Sequence, residues 1–168
     1  MQRFFQKDKK QLLFDGECVI IPLEMFYIAE RRSSVKLIVC LSDDGGMMFN
    51  HRRQSRDRVL IADMIDQTQG APLWVSPYSA PLFGEDCPHL RVDARPVNAA
   101  KVGDYCFVED TSLPQNLDAV EELILYRWNR LYPSDVYFTL DTSAFPLQET
   151  TEFVGSSHEK ITKEILKK

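Results

Sequence analysis

The chain has 168 residues, of which 44% are hydrophobic and 27% are charged, the balance of an ordinary globular protein. Its apolar runs are much shorter than the roughly 20 residues that a membrane-spanning helix needs, and its basic N-terminus lacks an apolar signal segment. We therefore expect a single soluble, cytoplasmic domain over residues 1–168, without a membrane partner and with residues 1–10 frayed or forming a short edge element.

The net charge of −5 is unevenly distributed. Between Lys101 and Glu152, ten acidic residues stand against three basic ones. This excess argues against direct nucleic-acid binding, which requires a basic surface, and favours a cationic protein partner. The four cysteines lie far apart and form no CxxC pair, so we expect buried free thiols, with no metal site and no disulfide framework. No cofactor is predicted.

Turn residues divide much of the chain into short strands. Asp15-Gly16 predicts a hairpin between 12–14 and 18–21, and the segment from Asp43 to Gly46 predicts a second tight turn. Runs of apolar and β-branched residues predict further strands over 23–29, 35–41, 47–50, 73–75, 90–93, 101–109, 136–140 and 145–154.

Three helices are expected among these strands. The first covers 56–69, with Ser55 as its N-cap and Gly70 at its end. The second covers 117–131, where apolar residues recur at steps of three and four, with acidic residues near its start and arginines near its end. The third follows residue 155, because Ser156 and Glu159 have the spacing of a capping box. Together the elements predict an α+β fold, with a mixed, mostly antiparallel sheet and about three helices packed on it.

One basic cluster, HRRQSRDR at 51–58, leads into the first predicted helix. Arg52, Arg53 and Arg56 could hold an anion there, helped by the backbone N–H groups at the start of the helix. A solvated helix start with ordinary ion pairs explains the same residues. His158 follows Gly-Ser-Ser and is a candidate acid–base group, although a capped helix explains that segment too. No motif predicts a set of catalytic residues.

Two segments of the last third, EELILYRWNRLYPSDVYF (121–138) and FVGSSHEKITKEILKK (153–168), are similar to the C-terminal part of small bacterial toxin-immunity proteins, including those of contact-dependent growth inhibition. The resemblance implies a cytoplasmic, non-enzymatic protein that binds and neutralises a basic toxin domain, often a nuclease. The acidic surplus agrees with this, because carboxylates mimic the phosphates that a nuclease binds. The residues expected to contact the toxin are Glu109, Asp110, Asp118, Glu121 and Glu122, with Trp74 and Tyr78 as aromatic anchors.

The second hypothesis is a small-molecule or nucleotide-processing enzyme. It places an anion on Arg52, Arg53 and Arg56 and uses His158 as acid or base. Thermal stabilisation by a small ligand distinguishes the two hypotheses, because any ligand that binds only the native state raises the unfolding temperature.

Overall fold

The computed structural model describes residues 9–14 and 17–22 as strands and the continuous chain from Ser34 to Lys168. The chain divides into two compact units, Met1–Arg32 and Ser33–Lys168. In the first unit, strands β1 (Lys9–Phe14) and β2 (Glu17–Pro22) pair antiparallel, which confirms the predicted hairpin. The strand expected over 23–29 and the N-terminal residues 1–8 lie outside the described residues.

The second unit contains a seven-stranded mixed sheet and a small three-stranded sheet. The strands of the large sheet are β3 (Val35–Leu41), β6 (Leu73–Val75), β7 (Leu90–Val92), β8 (Tyr105–Phe107), β9 (Val120–Arg127), β11 (Leu147–Phe153) and β12 (Ile161–Lys167). Their spatial order is β11-β12-β9-β3-β8-β6-β7. The strands β9, β3, β8, β6 and β7 are mutually parallel, while β12 and β11 extend the β9 edge in antiparallel pairing.

The small sheet has the order β10-β4-β5 and is antiparallel. Its strands are β4 (Gly46–Phe49), β5 (Arg52–Arg53) and β10 (Val136–Tyr137). The turn predicted before β4 is confirmed: the Ser42 N–H donates to Gly46 O, and Gly45 has a φ of 80°. Strand β10 is shorter than the predicted 136–140.

The described part of the chain has two α-helices, α1 (Arg58–Gln67) and α2 (Pro96–Ala99), and a 3-10 helix at Ala80–Leu82. Helix α1 confirms the first predicted helix, but its N-cap is Asp57 and not Ser55. Asp57 Oδ1 accepts hydrogen bonds from the N–H groups of Val59 (3.0 Å) and Leu60 (3.1 Å). No helix in the described ranges is both long and apolar enough to cross a bilayer.

The helix predicted over 117–131 is wrong, because this segment forms β9. Strand β9 is hydrogen-bonded on both sides, to β3 and to β12. Its alternate residues enter two different cores: Ile124 and Tyr126 pack on one face of the sheet, and Leu123 and Leu125 on the other. A strand buried on both faces has no alternation of polar and apolar residues, so its apolar positions also match helical spacing.

The predicted C-terminal helix is also wrong, because Ile161–Lys167 forms β12 between β11 and β9. Ser156 does not cap a helix of its own: its hydroxyl oxygen accepts from the N–H of Arg58 at 2.9 Å, at the start of α1. Strand β11 confirms the strand expected over 145–154. The predicted α+β class is therefore wrong, because the sheet has a parallel centre and only two α-helices occur in the described residues.

Two apolar cores cover the two faces of the large sheet. Helix α1 contributes Leu60 and Met64 to the first core, where they meet Ile38 and Phe107 from the sheet. The second core lies on the opposite face and includes Leu37, Val39 and Leu123. The cysteines at positions 40, 87 and 106 are buried free thiols, as expected, and burial raises the pKa of the Cys106 thiol to about 12. Thiols of this kind act as small apolar groups and not as nucleophiles.

Candidate functional site

The carboxyl ends of the parallel strands β3, β6, β7 and β8 meet at one edge of the large sheet, which we call the carboxyl edge. Ligands of open parallel sheets usually bind outside this edge, where the loops diverge. Two depressions lie here. The segments that line them follow β3, β6, β7 and β8 and lead into α1.

The larger depression, which we call the crevice, has a volume of about 800 Å³. It lies between the segments that follow β6, β7 and β8. Its polar lining includes Ser76, Tyr78, Arg95, Asn98, Asp110 and Ser112. A volume in this range is typical of small-molecule sites, about 300–1,000 Å³.

The smaller depression, which we call the cleft, lies between the end of β3, the start of α1 and the end of β8. It holds about 20 Å³ of space for a water-sized group, which is room for about one water molecule. Its polar lining is Arg53, Gln54, Ser55, Arg56, Asp57 and Glu109, and its apolar lining includes Leu60, Phe107 and Trp128.

Glu109 is a buried carboxylate in the wall of the cleft, with 5% of its surface exposed. Its Oε1 lies 3.2 Å from Nη2 of Arg53 and accepts a 2.8 Å hydrogen bond from the hydroxyl of Ser79. Burial raises the pKa of Glu109, although Arg53 and Ser79 act in the opposite direction. A buried carboxyl with a raised pKa beside a specific cation is typical of groups that exchange protons with a ligand.

Arg53 connects the cleft with the crevice through Tyr78. The guanidinium carbon of Arg53 lies 4.7 Å from the centre of the Tyr78 ring, and its Nη2 donates to Tyr78 O at 3.1 Å. The backbone N–H of Arg53 donates to the Tyr78 hydroxyl oxygen at 2.8 Å. Tyr78 keeps 38% of its surface exposed and lines the crevice. Arg53 therefore holds Glu109 and Tyr78 in place and is not available as a freely moving anion ligand.

Asp110 lies next to Glu109 and accepts hydrogen bonds from two serines of the crevice wall. Its Oδ2 accepts from the hydroxyl of Ser76 at 2.7 Å, and its Oδ1 accepts from the N–H of Ser112 at 2.9 Å. The turn that follows β8 thus presents two adjacent acidic side chains whose orientation is fixed by serines. No sequence pattern indicated these serines, because nothing relates Ser76 or Ser79 to acidic residues thirty or more positions later.

The three arginines of the predicted anion site do not converge. Arg53 and Arg56 both line the cleft. Arg52 is exposed and does not line the cleft; it lines a second surface depression with Asn50 and Tyr132, to which Arg53 also contributes. Arg56 is exposed and forms no ion pair with any described residue. Of the two arginines that line the cleft, Arg53 is paired with Glu109, so the charge of Arg56 is the one that stays available at the mouth of the cleft.

His158 lies outside the cleft and is 8% exposed. Its Nε2 is 2.8 Å from the Tyr132 hydroxyl, its Nδ1 is 3.0 Å from Oγ of Ser157, and its ring stacks on Trp128 at 4.6 Å. With all of these contacts made inside the protein, His158 belongs to a packing network and not to the predicted anion site.

Asp57 is the centre of that network. Its carboxylate accepts from the N–H groups of Ser156 (2.9 Å) and Ser157 (2.7 Å) while it caps α1. Burial alone would raise the pKa of Asp57, but the hydrogen bonds from Ser156, Ser157 and Leu60 lower it well below its usual range. The carboxylate therefore fixes the segment before β12 to the start of α1.

The predicted toxin-binding residues do not form one surface. Glu109 and Asp110 lie at the carboxyl edge. In the sheet, Lys36 of β3 pairs with Tyr105 of β8 on one side and with Glu122 of β9 on the other. Glu122 therefore lies level with the start of β8. Measured along the strands, this is roughly 13 Å from Glu109. Asp118 and Glu121 precede it, at the opposite edge. Trp74 packs against the second core and donates its ring N–H to Asp104 at 2.8 Å, so it is no exposed anchor.

No protein-family model matches the sequence, and no curated protein matches it. The fold does match solved structures. Dihydrofolate reductase from Enterococcus faecalis, solved in complex with NADP(H) and RAB-propyl, aligns with a TM-score of 0.59 and 12% sequence identity over 81% of this chain and 96% of that chain. At this level of identity the likeness establishes a shared α/β fold.

This comparison contradicts the leading hypothesis of a non-enzymatic toxin-immunity protein. The matching fold is that of a reductase solved with NADP(H), and the acidic residues assigned to toxin binding are divided between two edges of the sheet.

Proposed function

We propose that this protein is an enzyme of the small-molecule, nucleotide-processing class, and that its substrate binds at the carboxyl edge of the parallel strands. The observation that carries the proposal is the position of Glu109. Its buried carboxyl lines the cleft, beside a crevice of about 800 Å³, in a fold shared with an NADP(H)-complexed reductase. Ligand binding at this edge is the rule for parallel sheets.

The crevice does not fit the pyrophosphate of NADP(H). A dinucleotide is usually held by a glycine-rich turn and the N–H groups at the start of a following helix. Here β8 is followed by Glu109 and Asp110, the segment from 109 to 119 contains no glycine, and it forms turns and coil without a helix. The carboxylate of Asp110, which lines the crevice, would face the pyrophosphate charge. We therefore assign no step of the reaction to a dinucleotide.

A substrate with one anionic group fits the residues better. Arg56 at the mouth of the cleft carries a charge that no described acidic residue pairs with, and arginine binds phosphate or carboxylate through two parallel N–H groups. Glu109 supplies or accepts the proton, since burial raises its pKa and Arg53 stabilises its ionised form. The crevice provides the volume for the rest of a nucleoside monophosphate.

The proposal is tested by calorimetric titration and thermal unfolding with AMP, GMP, CMP and UMP, and with inorganic phosphate as a minimal anion. At least one mononucleotide should bind and raise the unfolding temperature. Arg56→Ala should weaken binding about tenfold or more, the typical loss when a charged hydrogen bond is removed. Arg91→Ala is the matched control, because Arg91 is exposed on β7 and lines neither depression.

Glu109→Gln separates binding from chemistry. The amide keeps the size of the side chain and its contact with Ser79 but cannot exchange the proton. We expect affinity to change by less than about threefold, while any conversion of the bound nucleotide, followed by chromatography of the products, falls by about a hundredfold or more. Failure of all four mononucleotides to bind at millimolar concentration contradicts the proposal.

A further inference from the structure

Tyr78 is an aromatic side chain of the crevice whose position is fixed by one neighbour. Its hydroxyl oxygen accepts from the backbone N–H of Arg53 at 2.8 Å, and its backbone carbonyl accepts from Nη2 of Arg53 at 3.1 Å. The guanidinium carbon of Arg53 lies 4.7 Å from the centre of the ring. A ring that is held at its hydroxyl and against one face loses little further conformational freedom when a ligand packs on it. Tyr78 is therefore a preorganised contact, with 38% of its surface exposed.

The accessible part of the Tyr78 ring borders the crevice. Arg53 lines the cleft and not the crevice, whereas Tyr78 lines the crevice and not the cleft. The ring therefore stands between the two depressions, and the guanidinium covers the face that is turned away from the crevice. What remains open is a flat aromatic surface that a molecule in the crevice can reach.

The order of the strands places Tyr78 in the middle of the crevice. Strand β6 lies between β7 and β8, and Tyr78 follows β6. The segment after β7 lines one side with Arg95 and Asn98, and the segment after β8 lines the other side with Asp110 and Ser112. An aromatic surface with polar groups on both sides matches the shape of a nucleobase, which has two flat faces and a hydrogen-bonding edge.

We infer that the base of the substrate lies in the crevice and stacks on Tyr78, which makes Tyr78 the residue that separates nucleotides from sugar phosphates. This inference rests on the proposed function and specifies how its substrate is recognised. Stacking on an aromatic side chain strengthens the binding of a base by about tenfold or more, and it does so for every base because each has a flat π face. A sugar phosphate has no such face and gains nothing from Tyr78.

The test compares AMP, GMP, CMP and UMP with ribose 5-phosphate, which has no base, by calorimetric titration. The nucleotide that binds most tightly should bind the native protein at least about tenfold more tightly than ribose 5-phosphate does. In Tyr78→Leu this preference should fall to about twofold or less, because only the base has lost its contact. A purely structural role of Tyr78 would instead weaken the binding of both ligands by the same factor.

Tyr78→Phe is the matched control. It keeps the ring and removes only the hydroxyl that accepts from the N–H of Arg53, so the preference for the nucleotide should remain. A preference that is lost equally in Tyr78→Phe and Tyr78→Leu would show that the hydroxyl, and not the stacked ring, is responsible, and would overturn the inference.

Equal binding of the nucleotide and ribose 5-phosphate by the native protein also overturns the inference. That result leaves mononucleotide binding, and with it the proposed function, intact, and the comparison requires no variant to fold. A preference that persists in Tyr78→Leu, or an equal loss for both ligands in this variant, overturns the inference as well. Failure of all four mononucleotides to bind rejects the inference together with the proposed function.

Discussion

The hydroxyl of Tyr126 donates a 2.6 Å hydrogen bond to Oδ2 of Asp63, and Nζ of Lys163 lies 2.9 Å from the same oxygen. Asp63 belongs to α1, Tyr126 to β9 and Lys163 to β12. The three groups tie the helix to two neighbouring strands of the sheet. A carboxylate that accepts from both a phenol and an ammonium in a partly buried place makes hydrogen bonds of the stronger, charge-assisted kind.

Tyr126→Phe removes the phenol from this group without changing the packing of the ring. We expect a loss of about 1.5–3 kcal/mol in the free energy of unfolding, the usual contribution of a hydrogen bond to a charged group. Urea unfolding followed by fluorescence measures it. Tyr137→Phe is the matched control: its exposed hydroxyl donates to Ser134 O, and we expect its loss to be within about 0.5 kcal/mol. Equal stabilities for both variants would show that the Asp63 contact contributes little.

Gly155 occupies a place where no side chain fits. A Cβ atom there would clash with Asp57 Oδ2 and would lie 2.7 Å from Ile161 Cδ1. Gly155→Ala should therefore displace the carboxylate that caps α1 and holds Ser156 and Ser157. We expect a loss of about 2–3 kcal/mol from overpacking and the weakened cap.

The adjacent Val154→Ala provides the comparison for Gly155→Ala, because Val154 is 71% exposed and its truncation should be nearly neutral. Thermal and urea unfolding of both variants measure the difference in their stabilities. A Gly155→Ala protein as stable as the Val154→Ala protein would show that the Asp57 network is not a tight constraint.

The sequence was sufficient to predict those strands and helix ends whose pattern lies in neighbouring residues of the chain. The turn residues around Asp15 and Asp43 located β1, β2, β3 and β4, and Gly70 marked the end of α1. It was insufficient for β9 and β12, because their conformation depends on neighbours that are distant along the chain. Strand β9 lies between β3 and β12, and a core covers each face of the sheet there. Apolar residues on both faces of β9 therefore make sense only once these neighbours are known.

The candidate site was predicted in part. The basic cluster at 51–58 indicated Arg53 and Arg56, and Glu109 was singled out for its charge, yet the cleft that joins them exists only in the folded sheet. The sequence did not show that His158 lies outside the cleft, because its contacts with Asp57, Trp128 and Tyr132 span up to about a hundred positions of the sequence.

Glu109 should give the stability of the protein a pH dependence. Burial raises its pKa in the folded state above the value of about 4.3 expected for an unfolded chain. The folded protein therefore holds this proton more tightly than the unfolded chain does. The stabilisation that results is fully present below the unfolded pKa and is lost as the pH rises through the folded pKa.

The Glu109→Gln variant has no titrating group at position 109. Its free energy of unfolding should therefore lack the pH-dependent contribution of Glu109. The difference in unfolding free energy between the native protein and the variant, measured in urea at intervals from pH 4 to pH 8, should shift in favour of the variant as the pH rises. A difference that is independent of pH, or one that shifts in favour of the native protein, contradicts a raised pKa for Glu109.

The last prediction concerns NADPH. Strand β8 ends at Phe107, and the segment that follows it, with Glu109 and Asp110, has no glycine turn and no helix to receive a pyrophosphate. We therefore expect a dissociation constant above about 1 mM, weaker than −4.1 kcal/mol, in a fluorescence titration with NADPH. Asp110→Asn reduces the repulsion while an amide still reaches Ser76 and Ser112, so binding should strengthen severalfold in this variant, whereas Asp118→Asn at the opposite edge should have no effect. Micromolar binding of NADPH by the native protein would contradict the misfit and would return a dinucleotide to the crevice.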